Sequence, residues 1–284
     1  MNRKWTATIG AAMLAVALGG GSAVFGQGSP DKPTLDKNKP AQPGTPAPTL
    51  SLNGPAVNPE EEAAFKAFQA VPLADAAKTA QTGEEFLQKY PESQFRAAVY
   101  STLTRAYYGI GNAQKMAEAG AKAVEMSPND VQLLAILGQT IPRALSKDPT
   151  AAMKQLSQAE LYAKRAIELT PTLPKPEALT DEAFAGAKNV VLGMAHGGLG
   201  LVYIHRGKFS EAAAELNESV KVDPQPDPVN FYLLGIADER TSHFDDAAAA
   251  FAKCAAINGQ MQAECKASIE RAKKSAATQL SAPK

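Results

Sequence analysis

Residues 193–224 read GMAHGGLGLVYIHRGKFSEAAAELNESVKVDP, and residues 228–259 read PVNFYLLGIADERTSHFDDAAAAFAKCAAING. Five positions of the first segment recur 35 residues later with identical or similar side chains. Leu199, Gly200, Phe209, Ala212 and Leu216 correspond to Leu234, Gly235, Phe244, Ala247 and Phe251. Further back, Tyr100, Leu103 and Thr104 are matched by Leu134, Leu137 and Gly138 at an offset of 34. A period of this length is typical of proteins built from stacked helix-turn-helix units.

The small residues of this repeat have a packing role. Two antiparallel helices approach closely only where the facing side chains are small. In residues 193–224 we expect Gly200 and Ala212 to allow this contact, while Leu216 fills the space beside it. Pro224 ends the second helix, because proline cannot continue the helical hydrogen bonding. One hairpin cannot cover its own apolar stripe, so the sequence predicts an all-α protein in which each hairpin packs on the next.

The pattern resembles the tetratricopeptide repeat (TPR) family, most clearly in residues 193–224. The resemblance implies a right-handed α-solenoid of antiparallel helix-turn-helix repeats. We predict repeats near residues 60–91 (degenerate), 97–128, 131–171 (with an inserted loop), 193–224 and 228–259, and a C-terminal capping helix at 261–280. The solenoid as a whole is predicted to span residues 59–280.

The first residues have the pattern of an export signal. Residues 1–26 begin with Arg3 and Lys4, continue with a short apolar stretch and end in small residues, which is the three-part organisation of a secretory signal peptide. Cleavage after Ala23 and cleavage after Gly26 both fit this pattern, and the sequence does not choose between them. The sequence therefore predicts an exported protein, periplasmic or secreted, with no transmembrane segment after signal removal.

The segment that follows is rich in proline. Eight of the 20 prolines of the chain lie between Pro30 and Pro59. Such a composition buries too little apolar surface to offset the entropy of ordering. We therefore predict that residues 27–58 form a disordered linker ahead of the solenoid.

Composition and motifs argue against several classes of function. The chain carries 29 basic and 29 acidic residues, which argues against a nucleic-acid binder that relies on a large positive potential. The segment His196-Gly197-Gly198 is similar to the oxyanion-hole segment of esterases, but the chain has no Gly-x-Ser-x-Gly nucleophile motif. The three histidines lack metal-ligand spacing. We expect no enzymatic activity, no cofactor and no metal.

The two cysteines lie on either side of a predicted turn near Gly259. In an oxidising compartment Cys254 and Cys265 could form a disulfide that joins the last repeat to the capping helix. Two free buried thiols are the alternative, and no low-pKa redox motif accompanies them.

The TPR resemblance also implies where a partner binds. In that family, residues one turn apart on the first helix of each hairpin line a concave groove. Transferred to this sequence, the partner-binding residues are Arg105, Tyr108, Gln139, Arg143, His205, Tyr232, Glu239 and Arg240. The Lys, Asn and Arg clamp with which some relatives hold a peptide carboxylate is missing, since two of its positions are Ser101 and Ala135.

The function that this resemblance implies is non-catalytic. The chain is interpreted as a protein-protein interaction scaffold of the bacterial cell envelope, which binds a protein or peptide partner through the groove. The alternative is a chaperone-like holder of extended peptide segments.

Overall fold

The computed structural model describes residues 58–280, and every regular element in this range is helical. The predicted signal peptide (1–26) and almost all of the predicted linker (27–58) lie outside the described residues. The eleven α-helices of this range are α1 (Pro59–Gln69), α2 (Ala76–Lys89), α3 (Arg96–Gly109), α4 (Ala113–Met126), α5 (Val131–Thr140), α6 (Pro149–Leu169), α7 (Asp181–His205), α8 (Phe209–Val222), α9 (Pro228–Arg240), α10 (Phe244–Ala256) and α11 (Gln262–Leu280). Short 3-10 helices at Ile141–Arg143 and Thr170–Thr172 follow α5 and α6.

Local sequence signals define the helix ends. Asp130, Asp148 and Asp227 each accept a hydrogen bond from a backbone N–H in the first turn of the helix that follows. Proline occupies the first position of α1, α6 and α9, where no intrahelical N–H bond is lost. The tight turns inside two hairpins place Gly111 and Gly207 at φ 71° and 70°, in the left-handed region that favours glycine.

The same helix contact recurs along the stack. A Cβ atom on Gly200 would lie 2.5 Å from Cγ of Leu216, and a Cβ on Gly235 would lie 2.5 Å from the Phe251 ring. Leu216 and Phe251 are both fully buried. A side chain at Gly200 would therefore overlap Leu216, the residue that the sequence predicts to fill the space beside this contact. The α-solenoid predicted from the repeat is confirmed by these hairpins and their stacking.

Helix α5 forms the centre of the stack. Leu133, Leu134 and Leu137 are almost completely buried, and α5 packs against both α6 and α7. Gly198 of α7 faces the backbone of α5, since a Cβ at Gly198 would lie 2.5 Å from the carbonyl oxygen of Gly138. The glycines of the His196-Gly197-Gly198 segment thus serve close helix packing.

Helix α11 covers the end of the stack. It packs along α10, and Cys254 and Cys265 form a disulfide with a Cα–Cα distance of 5.9 Å. Ile269 and Ala272 of α11 pack against Phe251. No helix between residues 58 and 280 combines the length and the hydropathy needed to cross a membrane.

Candidate partner-binding site

The first helices of successive hairpins lie side by side. Helix α5 contacts α3 and α7, and α7 contacts α9. This layer carries the residues that the TPR resemblance nominated for partner binding.

Arg105 of α3 reaches the beginning of α5. Its guanidinium Nη2 lies 3.0 Å from Oδ2 of Asp130, and both side chains retain about a fifth of their exposure. Oδ1 of Asp130 also accepts a hydrogen bond from the N–H of Leu133 at 3.1 Å. Asp130 therefore caps α5 and neutralises Arg105 at the same time.

Arg143 makes the corresponding contact with α9. Its Nη2 lies 2.9 Å from Oδ2 of Asp227, while Oδ1 of Asp227 accepts the N–H of Val229 at 2.9 Å. The two ion pairs are alike, because each joins an arginine to the N-cap aspartate of a first helix; Arg105 lies on α3, and Arg143 lies in the 3-10 segment that follows α5. Arginine side chains at this surface are thus already paired within the chain.

Tyr108 and Gln139 lie close to each other in this layer. The Tyr108 hydroxyl donates a long hydrogen bond, 3.4 Å, to Oε1 of the buried Gln139. Burial raises the pKa of Tyr108, while the nearby charge of Arg143 acts in the opposite direction. The phenol therefore stays protonated at neutral pH and is a hydrogen-bond donor. We name the set Arg105, Tyr108, Asp130, Gln139, Arg143 and Asp227 the polar row.

His205 extends the polar row at the end of α7. Its Nε2 lies 2.9 Å from the carbonyl oxygen of Pro142, the residue before Arg143. Five of the nominated residues thus make contacts between neighbouring first helices, or between a first helix and the segment that joins α5 to α6. They are Arg105, Tyr108, Gln139, Arg143 and His205.

The three remaining nominated residues are engaged elsewhere. Glu239 pairs through both carboxylate oxygens with Arg271 of α11. Tyr232 packs on the Phe251 ring, with a centroid distance of 5.7 Å, within the cluster that α11 completes. The guanidinium of Arg240 lies over the ring of Phe209, 5.2 Å from its centroid. Two of these residues, Glu239 and Tyr232, thus contact the capping helix or its cluster, and Arg240 contacts α8.

Sequence reasoning missed Asp130 and Asp227. An aspartate directly before a helix predicts an N-cap, and that signal is visible at both positions. The signal does not reveal that the second carboxylate oxygen binds an arginine. That role depends on how far each helix is rotated against its neighbour.

The polar row presents hydrogen-bond donors and acceptors without net charge. Its two arginines and two aspartates cancel in charge, and its tyrosine and glutamine are neutral donors and acceptors. Within residues 58–280, no group of three His, Cys, Asp or Glu side chains is placed to hold a metal ion.

Replacement of Asp130 tests its double role. Asp130→Ala removes the cap of α5 and leaves Arg105 unpaired, and we expect it to lower the free energy of unfolding by about 1–2 kcal/mol. Asp130→Asn retains a capping oxygen and loses only the charge, so we expect a loss of about 0.5 kcal/mol. Urea denaturation followed by circular dichroism measures both. Equal losses in the two variants would contradict the capping role.

Asp238, near the end of α9, is expected to make the stability of the protein depend on pH. It is buried, and burial, with a smaller contribution from Asp246, raises its pKa to about 6, against an opposing effect of His243. Between about pH 4 and pH 6 the folded state holds a proton that the unfolded state has released. Stability should therefore fall as pH rises through this window, because the buried carboxylate becomes charged.

Asp238→Asn removes this titration. We expect the stability of the variant relative to the native chain to increase by about 1–2 kcal/mol between pH 4 and pH 6.5. Urea denaturation at several pH values measures the difference. Asp245→Asn removes an exposed carboxylate nearby and is the control for the substitution itself.

No family model matches the chain, and no curated protein matches it. Similar solved structures include a thermophilic TPR protein of Thermus thermophilus, with 18% identity, a TM-score of 0.47, and coverage of 75% of this chain and 99% of that one. MamA of Desulfovibrio magneticus has 14% identity, a TM-score of 0.49, and coverage of 70% and 95%. PilW, described as a type IV pilus biogenesis factor, has 14% identity, a TM-score of 0.48, and coverage of 78% and 93%.

Proposed function

We propose that the chain is a non-catalytic scaffold for protein-protein interaction, which binds its partner through the layer of first helices. The observation that carries this proposal is the polar row. Side chains from α3, α5, the 141–143 segment and the cap of α9 meet there, although they are far apart in sequence. An arrangement of paired arginines, a tyrosine and a buried glutamine can bind a partner through hydrogen bonds and guanidinium or aromatic contacts.

We further propose that this scaffold acts in the bacterial cell envelope. The signal-like pattern of residues 1–26 supports export. The disulfide between Cys254 and Cys265 fits an oxidising compartment, since cytosolic thiols are normally kept reduced.

Affinity capture with mild crosslinking tests the scaffold. The mature protein should retain the same partner from envelope fractions in repeated experiments, and Arg105→Ala combined with Arg143→Ala should abolish that retention. Arg96→Ala is a matched control, because Arg96 lies on the same helix as Arg105 and also forms an ion pair, with Glu92. The proposal fails if no partner recurs, or if the control loses the partner as completely as the double variant.

A chaperone-like holder of extended peptides is the second candidate. The internal neutralisation of both arginines favours it, since a row without net charge does not select for a charged terminus. A peptide array distinguishes the two functions. Weak binding to many unrelated segments would indicate the holder, and one tight ligand would indicate the scaffold.

A further inference from the structure

The outer side of α6 carries exposed apolar side chains. Met153 and Leu161 are 71% and 65% exposed, the two highest values among the large apolar side chains that the structure describes. They lie on either side of Ser157, four residues from each, so they share one side of the helix about 12 Å apart. Helix α6 has 21 residues, whereas α4 and α8 have 14 each. The additional length is not required by the repeat, and Met153 lies within it.

Cationic side chains border this stripe. Lys154 and Lys208 are exposed, and Lys164 retains 55% of its exposure. Arg206, at the end of α7, donates to the Ser157 hydroxyl that separates the two apolar side chains. Two acidic residues near the ends of α6 are already engaged: Asp148 accepts the N–H of Ala151, and Glu168 pairs with Arg165.

The cations at this surface already hold one carboxylate. Nζ of Lys164 lies 2.6 Å from Oε1 of Glu160, and Arg206 binds Oε2 of the same side chain. Lys164 and Lys208 also lie over the Tyr203 ring, 6.0 and 5.8 Å from its centroid. Lys164 and Arg206 are therefore placed to bind a carboxylate, and Lys154 and Lys208 are exposed cations of the same surface.

We propose that this surface, formed by Met153, Lys154, Ser157, Leu161, Lys164, Arg206 and Lys208, is a second docking site, and that its occupant is a protein segment with carboxylates beside apolar side chains. We name it the α6 surface. Charge complementarity selects such a segment. Two apolar side chains provide too little area to anchor the protein to a bilayer. A second copy joined through the same surface would bring cations against cations.

A designed peptide tests the proposal on the intact protein. The probe is a fluorescein-labelled helical peptide with two leucines eight residues apart and glutamates on the same side, and its counterpart has lysine for every glutamate. Fluorescence anisotropy should detect the acidic peptide and not the basic one. Met153→Gln with Leu161→Gln should weaken binding about tenfold or more, and Lys154→Glu with Lys208→Glu should do the same.

The control variants make the same kinds of substitution outside the α6 surface. Val190→Gln replaces an exposed apolar side chain of α7, and Lys221→Glu reverses an exposed charge of α8. Both should retain binding, as should Arg105→Ala with Arg143→Ala, so this test is independent of the polar row. Circular dichroism should show the helical content of every variant unchanged.

Four results would overturn the proposal. They are absence of binding by the acidic peptide, equal binding by the basic peptide, equal weakening by the control variants, and retained binding by the α6 variants. Two further measurements identify the other occupants. Binding to phosphatidylglycerol vesicles without peptide binding would indicate a bilayer, and a dimer in sedimentation equilibrium that the α6 variants dissociate would indicate a second copy.

Discussion

Gly198→Ala is expected to destabilise the protein by about 3 kcal/mol or more. The added Cβ would lie 2.5 Å from the carbonyl oxygen of Gly138 and 2.7 Å from Cα of Gln139. These are backbone atoms of α5, so no side-chain rotation relieves the overlap, and α5 and α7 must move apart. The polar row should be disturbed as well, because Gln139 is part of it. Urea denaturation and binding of the captured partner measure the two effects.

The same helix offers a matched control. Gly186 also lies in α7, but a Cβ there would meet no atom within 4 Å. Gly186→Ala should therefore stabilise the protein by about 0.5–1 kcal/mol, because alanine loses less entropy than glycine on entering a helix. The packing account is contradicted if the two variants change the unfolding free energy in the same direction.

Loss of the disulfide is the second large effect that we expect. Cys254 and Cys265 are 11 residues apart in sequence, and closing a loop of this length contributes about 3 kcal/mol in the chain-entropy model. Cys254→Ala with Cys265→Ala should lower the free energy of unfolding by about that amount. The effect should be concentrated in α11, where hydrogen exchange should become faster.

Reduction of the native chain provides the comparison. Treatment with a thiol-free reductant should destabilise the native protein and leave the double variant unchanged. Thiol titration before reduction should detect no free thiol in the native chain. Two titratable thiols, or equal stability with and without reductant, would indicate the alternative of two buried free cysteines.

Several features of the fold could be predicted because their causes are local. The 35-residue spacing of Gly200 and Gly235 predicted the hairpin contacts, since a small residue must lie wherever two helices approach closely. Pro228 and the preceding aspartate mark the beginning of α9 in the sequence itself. The capping helix could be expected from its one-sided apolar pattern.

The candidate site could be predicted only in part. The family pattern nominates Arg105 and Arg143 as residues of the first helices, and the structure places both in this layer, each paired with an aspartate. It also nominates Tyr232 and Glu239 for a partner, whereas α11 contacts both. The family pattern describes a repeat that is followed by another repeat, and at the end of the stack a capping helix takes that place.

The sequence by itself determined the period, the helix ends and the small residues at helix contacts, because each depends on interactions within one hairpin or between adjacent hairpins. Only the tertiary structure decided that Arg143 pairs with Asp227, 84 residues away, and that Gly198 rests on the backbone of Gly138. These contacts depend on how α5, α7 and α9 are rotated and shifted against one another. That arrangement is set by the packing of the whole stack, including the long α6 and the loop before it, and no short-range pattern in the sequence records it.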